Sequence, residues 1–217
     1  MLTRDEIRSF YDRFGARQDR QGFYEDIATR DLIAHAGFGQ AKTVFEFGCG
    51  TGRFAADLLA QYLAETATYT GCDVSATMVG LAGGRLEQFG ARAQLQLTDG
   101  SLHVAAPGAA FDRFVSNYVL DLLPPEDIAV LLAEAHRVLT PDGRLCLVSL
   151  THGVTLITRI VSSAWARLHR WQPALVGGCR PIELAGFLTE RKWKIEYQNV
   201  VSSFGIPSEV LVGRKHL

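Results

Sequence analysis

The chain has 217 residues, of which 47% are hydrophobic and 21% are charged. This composition predicts one compact domain with a hydrophobic core and leaves room for a small appendage. The formal net charge of −1 excludes a global basic field that would attract nucleic acid or acidic lipid, so any basic patch has to be local.

Residues 3–37 predict two helices that are separated by a polar segment between Gly15 and Gly22. Each predicted helix has apolar side chains at helical spacing. The residues on these two faces are Ile7, Phe10, Tyr11 and Phe14, followed by Phe23, Ile27, Leu32 and Ile33. The spacing indicates that each helix buries one face.

The next stretch changes from an apolar strand into alternating glycines and then into a helix. Residues 43–47 are rich in β-branched and aromatic side chains, which is typical of a buried strand. Gly48, Gly50 and Gly52 allow a positive φ and let a ligand lie directly against the backbone. From Phe54 onward, apolar residues recur at helical spacing. Strand, glycine turn and helix together form a nucleotide-binding arrangement.

Two common nucleotide motifs do not fit this turn. A dinucleotide fingerprint that starts at Gly48 needs glycine at position 53, where the chain has Arg53. A phosphate-binding P-loop needs a Gly-Lys pair, which the sequence lacks. The pattern Glu46-x-Gly48-x-Gly50-x-Gly52 instead resembles the first motif of the class I S-adenosylmethionine-dependent methyltransferases, and the resemblance continues in register over positions 40–150.

The resemblance implies S-adenosyl-L-methionine as the cofactor, bound at the ends of the first four strands. The implied cofactor-binding residues are Glu46, Gly48, Cys49, Gly50, Thr51, Gly52, Asp73, Val74, Met78, Asp99, Gly100, Ser116 and Asn117. Asp73 ends the second predicted strand, where a carboxylate can accept hydrogen bonds from both ribose hydroxyls. The alternative for Asp73 is an acid at a helix N-terminus. Ser75 is expected to cap the following helix.

The third predicted strand, residues 93–98, leads to Asp99 and Gly100, where the family receives the adenine. An ordinary Asp-Gly turn is the alternative there. The fourth strand and its exit, residues 111–120, resemble the fourth motif of the family, which makes Ser116, Asn117 and Tyr118 candidates for contacts with the methionine part and the acceptor. The exit departs from the Asn-Pro-Pro-Tyr type of ending, so methylation of a nucleic-acid amine is disfavoured.

Pro124 and Pro125 predict the start of a helix whose apolar face ends at Leu139. On this helix, His136 is expected to be structural. Residues 141–143 predict a turn into a fifth strand, residues 144–150. Two last strands, residues 193–201 and 207–213, form in the family an antiparallel hairpin at the sheet edge.

The alternation of strands and helices predicts an α/β fold with ligands at the carboxyl ends of the strands. The expected architecture is Rossmann-like and doubly wound: a mostly parallel, seven-stranded sheet with helices on both faces, an antiparallel C-terminal strand and an N-terminal helical cap. We expect a single methyltransferase domain over 1–217. Its parts are the cap (1–40), the cofactor-binding core (41–150), an acceptor-side insertion and helix (151–192), and the C-terminal hairpin (193–217).

Residues 154–171 predict a basic amphipathic helix. Its apolar side is Ile157, Ile160, Val161, Ala164, Trp165, Leu168 and Trp171. Arg159, Arg167 and Arg170 lie on the other side. Three interpretations are open: a surface helix that covers the sheet, an insertion that shapes the acceptor pocket, and peripheral membrane contact.

Transfer of a methyl group from a sulfonium needs mainly alignment and exclusion of water. A phenol or enol acceptor would benefit from a general base, for which Tyr118, His152 and Tyr11 are candidates on the acceptor side. For His152 the alternative is helix capping or plain exposure, and for Tyr11 it is packing of the cap. The sequence predicts a methyltransferase for a small or lipid-like acceptor: a phospholipid amine, a quinone phenol or a natural-product hydroxyl. A nucleotide-dependent oxidoreductase and a non-catalytic cofactor-binding regulatory domain are the alternatives.

The cysteines and the N-terminus indicate the compartment. Cys49, Cys72, Cys146 and Cys179 are scattered without C-x-x-C pairing, which favours reduced thiols over disulfides or zinc. Residues 1–6 lack the apolar core of a signal peptide, and the sequence has no clean run of 18 apolar residues. We therefore expect a cytoplasmic protein without a metal site.

Overall fold

The computed structural model describes residues 1–216, within which the strands form one seven-stranded sheet. The strands are β1 (Thr43–Phe47), β2 (Thr68–Asp73), β3 (Ala93–Leu97), β4 (Phe111–Asn117), β5 (Leu139–Leu150), β6 (Trp193–Ser203) and β7 (Ile206–Lys215). Their order is β3-β2-β1-β4-β5-β7-β6, with β1 to β5 parallel and β7 antiparallel to both β5 and β6. The predicted Rossmann-like sheet with a C-terminal antiparallel hairpin is confirmed.

Helices connect and precede the strands. They are α1 (Arg4–Phe14), α2 (Gly22–Ala36), α3 (Arg53–Asp57), α4 (Ala76–Leu86), α5 (Pro125–Val138) and α6 (Leu156–Trp171). A 3₁₀ segment, Gly15–Gln21, joins α1 to α2, and α3 continues into a single π turn, Leu58–Tyr62. Ser75 caps α4 as predicted, because its Oγ accepts a hydrogen bond from the Met78 N–H at 3.1 Å.

Two apolar layers enclose the sheet. Successive residues of a strand point to opposite faces, so Phe114 joins one layer and Val115 the other. One layer includes side chains of α2 and α3, and the other includes α5. The predicted core face of α5 is confirmed. Its buried residues are Ile128, Leu131, Leu132, Ala135 and Val138, followed by Leu139 at the start of β5.

The predicted apolar face of α2 is confirmed at Leu32 but is wrong by one residue in the first half of the helix. Phe23 and Ile27 are 51% and 42% exposed, whereas Tyr24 and Ala28 are buried. The buried stripe continues through Leu32 and is in contact with β5, β6 and β7. Small side chains on this stripe let the helix approach the sheet closely, so packing overrides the placement of the largest apolar residues.

The predicted turn at residues 141–143 is absorbed into β5. The strand begins at Leu139, and its pairing with β4 jumps from Phe111 opposite Leu139 to Arg113 opposite Arg144. The extra residues form a bulge. At Gly143 an added Cβ would lie 2.9 Å from the Thr140 carbonyl oxygen, so this compact loop requires glycine.

Helix α6 is rotated relative to the sequence prediction. Most of its predicted apolar side is exposed, and the side chains that bury against the body are Thr158, Ser162 and His169, with Trp165 half-buried. Gly153 lies so close to the Thr158 backbone that no side chain fits between them, which fixes the start of the helix. Helix α6 is in contact with β7, as a helix that covers the sheet would be, but the side that it buries is not the predicted apolar side. No helix in residues 1–216 combines the length and apolar character that a bilayer crossing requires.

Candidate functional site

A cavity of about 430 Å³ opens at the carboxyl ends of β1, β2 and β4. On its other side lie Ile7 and Tyr11 of α1, Asp19 of the 3₁₀ segment Gly15–Gln21, and Glu25 of α2. Ligands of doubly wound folds bind in this place, because loops leaving adjacent parallel strands diverge there and open a crevice.

The three glycines after β1 have different functions. All have a positive φ, at +80° for Gly48, +52° for Gly50 and +74° for Gly52. Gly48 lies so close to Val119 that no side chain fits, and a Cβ on Gly52 would lie 2.9 Å from the Ala82 Cβ. At Gly50, no atom of the described residues lies within 4 Å of where a Cβ would stand. Gly50 therefore faces the cavity, whereas Gly52 does not line it and serves packing of α4, contrary to the predicted ligand contact.

The Asp73 carboxylate holds the glycine turn in place through hydrogen bonds from backbone N–H groups. Its Oδ2 accepts a hydrogen bond from the Gly50 N–H and its Oδ1 accepts one from the Ser75 N–H, both at 2.9 Å. Burial raises the pKa of Asp73, and these backbone hydrogen bonds oppose the rise. Each carboxylate oxygen has a second lone pair, so Asp73 can still accept hydrogen bonds from a diol in the cavity.

Glu46 and Asn117 form a buried polar pair at the centre of the site. Glu46 accepts hydrogen bonds from the Tyr69 hydroxyl at 2.6 Å and from the Asn117 Nδ2 at 3.3 Å. Burial raises the pKa of Glu46 to about 7. The Oδ1 of Asn117 is buried and has no hydrogen-bond partner among the described residues, although Asn117 lines the cavity. A ligand that brings an N–H or ammonium group to this point would satisfy it.

Most of the predicted cofactor-binding residues lie together around the cavity. Those that line it are Glu46, Gly48, Cys49, Gly50, Thr51, Asp73, Val74, Met78, Gly100 and Asn117. Ser116 does not line it, because its buried Oγ donates to the Phe47 carbonyl at 3.0 Å. Asp99 is exposed and lies at a separate shallow depression outside the cavity. Its carboxylate accepts a hydrogen bond from the Ser101 N–H at 2.8 Å, which is the contact of the alternative Asp-Gly turn.

Two of the three predicted catalytic residues reach the cavity. Tyr11 and Tyr118 line it, and the Tyr118 hydroxyl lies 2.9 Å from the Ser208 Oγ. Burial raises the pKa of both phenols above the ordinary value, so both are neutral at physiological pH and are hydrogen-bonding groups rather than bases. His152 is exposed and does not line the cavity.

An ion-pair network crosses the mouth of the cavity, and no motif in the sequence predicts it. In the sequence, Arg53 stands out only because a dinucleotide fingerprint needs glycine at its position. In the structure, its guanidinium group donates hydrogen bonds to Asp26 at 2.5 Å and to Glu25 at 3.1 Å. Asp19 accepts from the Thr51 hydroxyl and from Arg85, both at 2.6 Å. Burial raises the pKa of Glu25 to about 7 despite Arg53. A carboxyl group with such a pKa can exchange a proton at neutral pH.

Behind the cavity, Asp121 makes the stability of the fold depend on pH. It is buried, its Oδ2 accepts from the Leu150 N–H at 3.2 Å, and its Oδ1 has no partner among the described residues. Burial raises the pKa of Asp121 to about 7. The unfolded carboxyl ionises near pH 4, so between about pH 4 and pH 7 the folded state holds a proton that the unfolded state has lost. The unfolding free energy therefore falls as pH rises through this range.

Replacement of Asp121 by Asn is expected to remove this part of the pH dependence. The loss of unfolding free energy between about pH 4 and pH 8 should shrink by about 4 kcal/mol, since the pKa is raised by about three units and one unit corresponds to about 1.4 kcal/mol. Urea denaturation at the two pH values measures it, with Asp5→Asn at an exposed site as control. An unchanged slope in Asp121→Asn would contradict the assignment.

Comparison with known proteins gives a consistent picture. Residues 44–143 match the family model of the methyltransferase domain. The chain is similar to a Haemophilus influenzae protein, with 30% identity over 158 residues that cover 72% of this chain and 59% of that protein. It is also similar to trans-aconitate 2-methyltransferase of an Azoarcus species, with 35% identity over 120 residues that cover 55% of this chain and 44% of that enzyme. The matched stretches span about half the length of these relatives.

The fold has solved counterparts. The crystal structure of the N-methyltransferase NodS from Bradyrhizobium japonicum, in complex with S-adenosyl-L-homocysteine, is similar with a TM-score of 0.73 at 19% identity, over 97% of this chain and 99% of that one. At this identity the likeness concerns the fold. The predicted resemblance to class I S-adenosylmethionine-dependent methyltransferases is confirmed for the domain and the fold.

Proposed function

We propose that this chain, which carries a methyltransferase domain in a class I methyltransferase fold, is an S-adenosylmethionine-dependent methyltransferase that acts on a small or lipid-like acceptor. The observation that carries the proposal is the cavity at the strand ends. There, Gly50 leaves the backbone open, Asp73 has unused lone pairs, and the buried Asn117 Oδ1 has no partner within residues 1–216.

The residues around the cavity fit the parts of S-adenosylmethionine. Asp73 would accept hydrogen bonds from the ribose hydroxyls. The Asn117 Oδ1 and the Glu46 carboxylate would accept from the ammonium group of the methionine part, which supplies the missing donor. Met78 and Gly100 would border the adenosine. When bound, the cofactor supplies a methyl group activated by its positively charged sulfur.

The protein's part in the reaction is positioning. Val119, Leu122 and Leu123 line the cavity, so apolar side chains exclude water from its acceptor end. Tyr11 and Tyr118 keep their protons and would orient an acceptor through their hydroxyl groups. Alignment of the acceptor with the methyl group supplies most of what an in-line displacement needs. The exposed position of His152 gives no support to a role as the base.

The proposal keeps three kinds of acceptor: a phospholipid amine, a quinone phenol and a natural-product hydroxyl. It also keeps the single-domain division made from the sequence.

The four cysteines are buried and unbonded in the described structure, which fits a reducing compartment, and we propose the cytoplasm as the location.

The test is a calorimetric titration of the purified protein with S-adenosylmethionine, S-adenosylhomocysteine and NADH. We expect micromolar binding of the two sulfur nucleotides and none of NADH, because Arg53 occupies the position of the third dinucleotide glycine. Transfer of a labelled methyl group to members of the three acceptor classes then tests turnover. Folded protein that binds neither sulfur nucleotide would overturn the proposal, and tight binding without turnover on any class would favour a regulatory domain.

A further inference from the structure

A continuous apolar surface covers the outer side of α6 and its surroundings. Ile157 is 69% exposed, and Val154, Leu156 and Ile160 are exposed to a similar extent. In a folded protein, isolated apolar side chains at the surface need no explanation, but a contiguous group of them marks an interaction site.

The surface continues onto the turn between β6 and β7. A Cβ on Gly205 would lie 3.2 Å from the Val161 Cγ2, so this turn packs against α6. The neighbouring Phe204 is 82% exposed at a φ of +51°, an unfavourable backbone conformation for a bulky residue. Its ring meets that of the exposed Phe23 edge to face, with 5.5 Å between the ring centres. We call Val154, Leu156, Ile157, Ile160, Phe204 and Phe23 the α6 patch.

The α6 patch has a cationic border. Residues 151–182 contain neither Asp nor Glu, although the whole chain has a net charge of −1. Arg159, Arg167 and Arg170 in this stretch are exposed, and none of them forms a salt bridge with the described residues. On a helical projection Arg159 and Arg170 lie between the buried side of α6 and its exposed apolar side, and Arg167 lies on the exposed apolar side itself. The local charge is therefore positive where the apolar surface is greatest.

We infer that the α6 patch binds the surface of an anionic lipid bilayer. Apolar side chains enter the boundary between headgroups and acyl chains, and the arginines at the border pair with anionic headgroups. Each arginine near such a surface strengthens binding severalfold. A second copy of the chain fits less well, because a two-fold interface would bring the arginines of both copies together.

This inference rests on the proposed function and narrows it to an acceptor that resides in the membrane. The segment that follows α6 connects the patch to the cavity. The Trp165 Nε1 donates to the Cys179 carbonyl at 2.9 Å, and Cys179 belongs to the buried apolar layer against which Tyr11 of the cavity wall packs. Helix α6, which carries the patch on its outer side, is therefore packed through Trp165 against the layer that contains Tyr11 at the acceptor end of the cavity, and this placement suits a lipid acceptor.

The test is flotation of the full chain with two kinds of vesicle, one of phosphatidylcholine alone and one of phosphatidylcholine mixed with phosphatidylglycerol. We expect binding to the mixed vesicles and its weakening by salt. The double variant Ile157→Ser/Ile160→Ser should bind the mixed vesicles about tenfold or more weakly, since each substitution removes apolar area that would be buried in the bilayer. Val130→Ser is the matched control, because Val130 is exposed on α5 away from the patch.

The charge is tested separately. Arg159→Gln/Arg170→Gln should weaken binding to the mixed vesicles by about tenfold, and Arg191→Gln should leave it unchanged. Three results would overturn the inference: no binding to mixed vesicles, equal binding by all variants, or a dimer in sedimentation that Ile157→Ser/Ile160→Ser dissociates. Titration of the same variants with S-adenosylmethionine separates this failure from failure of the proposed function, because the patch does not line the cofactor end of the cavity.

Discussion

Replacement of Asp73 by alanine is expected to weaken binding of S-adenosylmethionine by about 100-fold or more. The carboxylate holds Gly50 and Ser75 through their N–H groups, and its remaining lone pairs face the cavity. Hydrogen bonds to a charged group contribute roughly 1.5–3 kcal/mol each, and loss of the two expected ribose contacts accounts for the effect. Calorimetric titration measures it.

The controls separate loss of ligand contacts from loss of structure. Asp73→Asn keeps one acceptor oxygen for the turn, and circular dichroism and thermal unfolding show whether each variant is folded. Asp99→Asn is the matched control, because Asp99 ends the next strand but lies exposed outside the cavity. For Asp99→Asn we expect the affinity for S-adenosylmethionine to change at most a few-fold, since Asp99 does not line the cavity. A folded Asp73→Ala variant with unchanged affinity would contradict the assigned ribose site.

Cofactor affinity is expected to rise with pH through neutrality, and Glu46 is the expected cause. Burial raises the pKa of Glu46 to about 7, so the apo protein loses this proton as pH passes that value. The ionised carboxylate then attracts the ammonium group of the methionine part, whereas the protonated form does not. Below this pKa, binding has to release the proton first, which lowers the apparent affinity.

Glu46→Gln should remove this pH dependence and weaken binding by about 10-fold to 100-fold above neutrality, the magnitude of one charge-assisted hydrogen bond. Titrations of both proteins at an acidic, a neutral and an alkaline pH measure the two effects together. Glu126→Gln, at the exposed start of α5, is the control for charge alone. If Glu46→Gln keeps the pH profile of the unaltered protein, another group carries the dependence.

The cofactor end of the site is predictable because its residues depend on local rules. A glycine turn after a strand needs glycines for its backbone angles, and the acid that ends the next strand faces the same edge of the sheet. Glu46, Gly50 and Asp73 therefore lie where the sequence places them. Ser116 does not, because side chains alternate between faces at a strand end and a one-residue difference turns a side chain away from the ligand.

The acceptor side depends on tertiary packing, which local patterns do not determine. Amphipathic spacing indicates that a helix has an apolar side, but not which neighbours that side meets. Helix α6 shows this limit, since Gly153 and Ser162 fix its rotation through short-range contacts and leave Ile157 exposed. Likewise, the pairing of Arg53 with Glu25 joins residues 28 positions apart, and nothing in either local sequence indicates it.

The ion pairs around the 3₁₀ segment Gly15–Gln21 have a kinetic consequence. Asp19 of this segment is hydrogen-bonded to Thr51 and Arg85, and Arg53 forms ion pairs with Glu25 and Asp26 of α2. These contacts hold the segment against both sides of the glycine turn. Asp19, Asp26 and Arg53 all line the cavity, so we expect a bound nucleotide to leave only after these ion pairs open. Because the paired side chains are partly exposed, dissolved salt weakens them. For the proposed methyltransferase, we therefore expect the dwell time of the spent cofactor, and with it the interval between reaction cycles, to depend on the ionic strength around the protein.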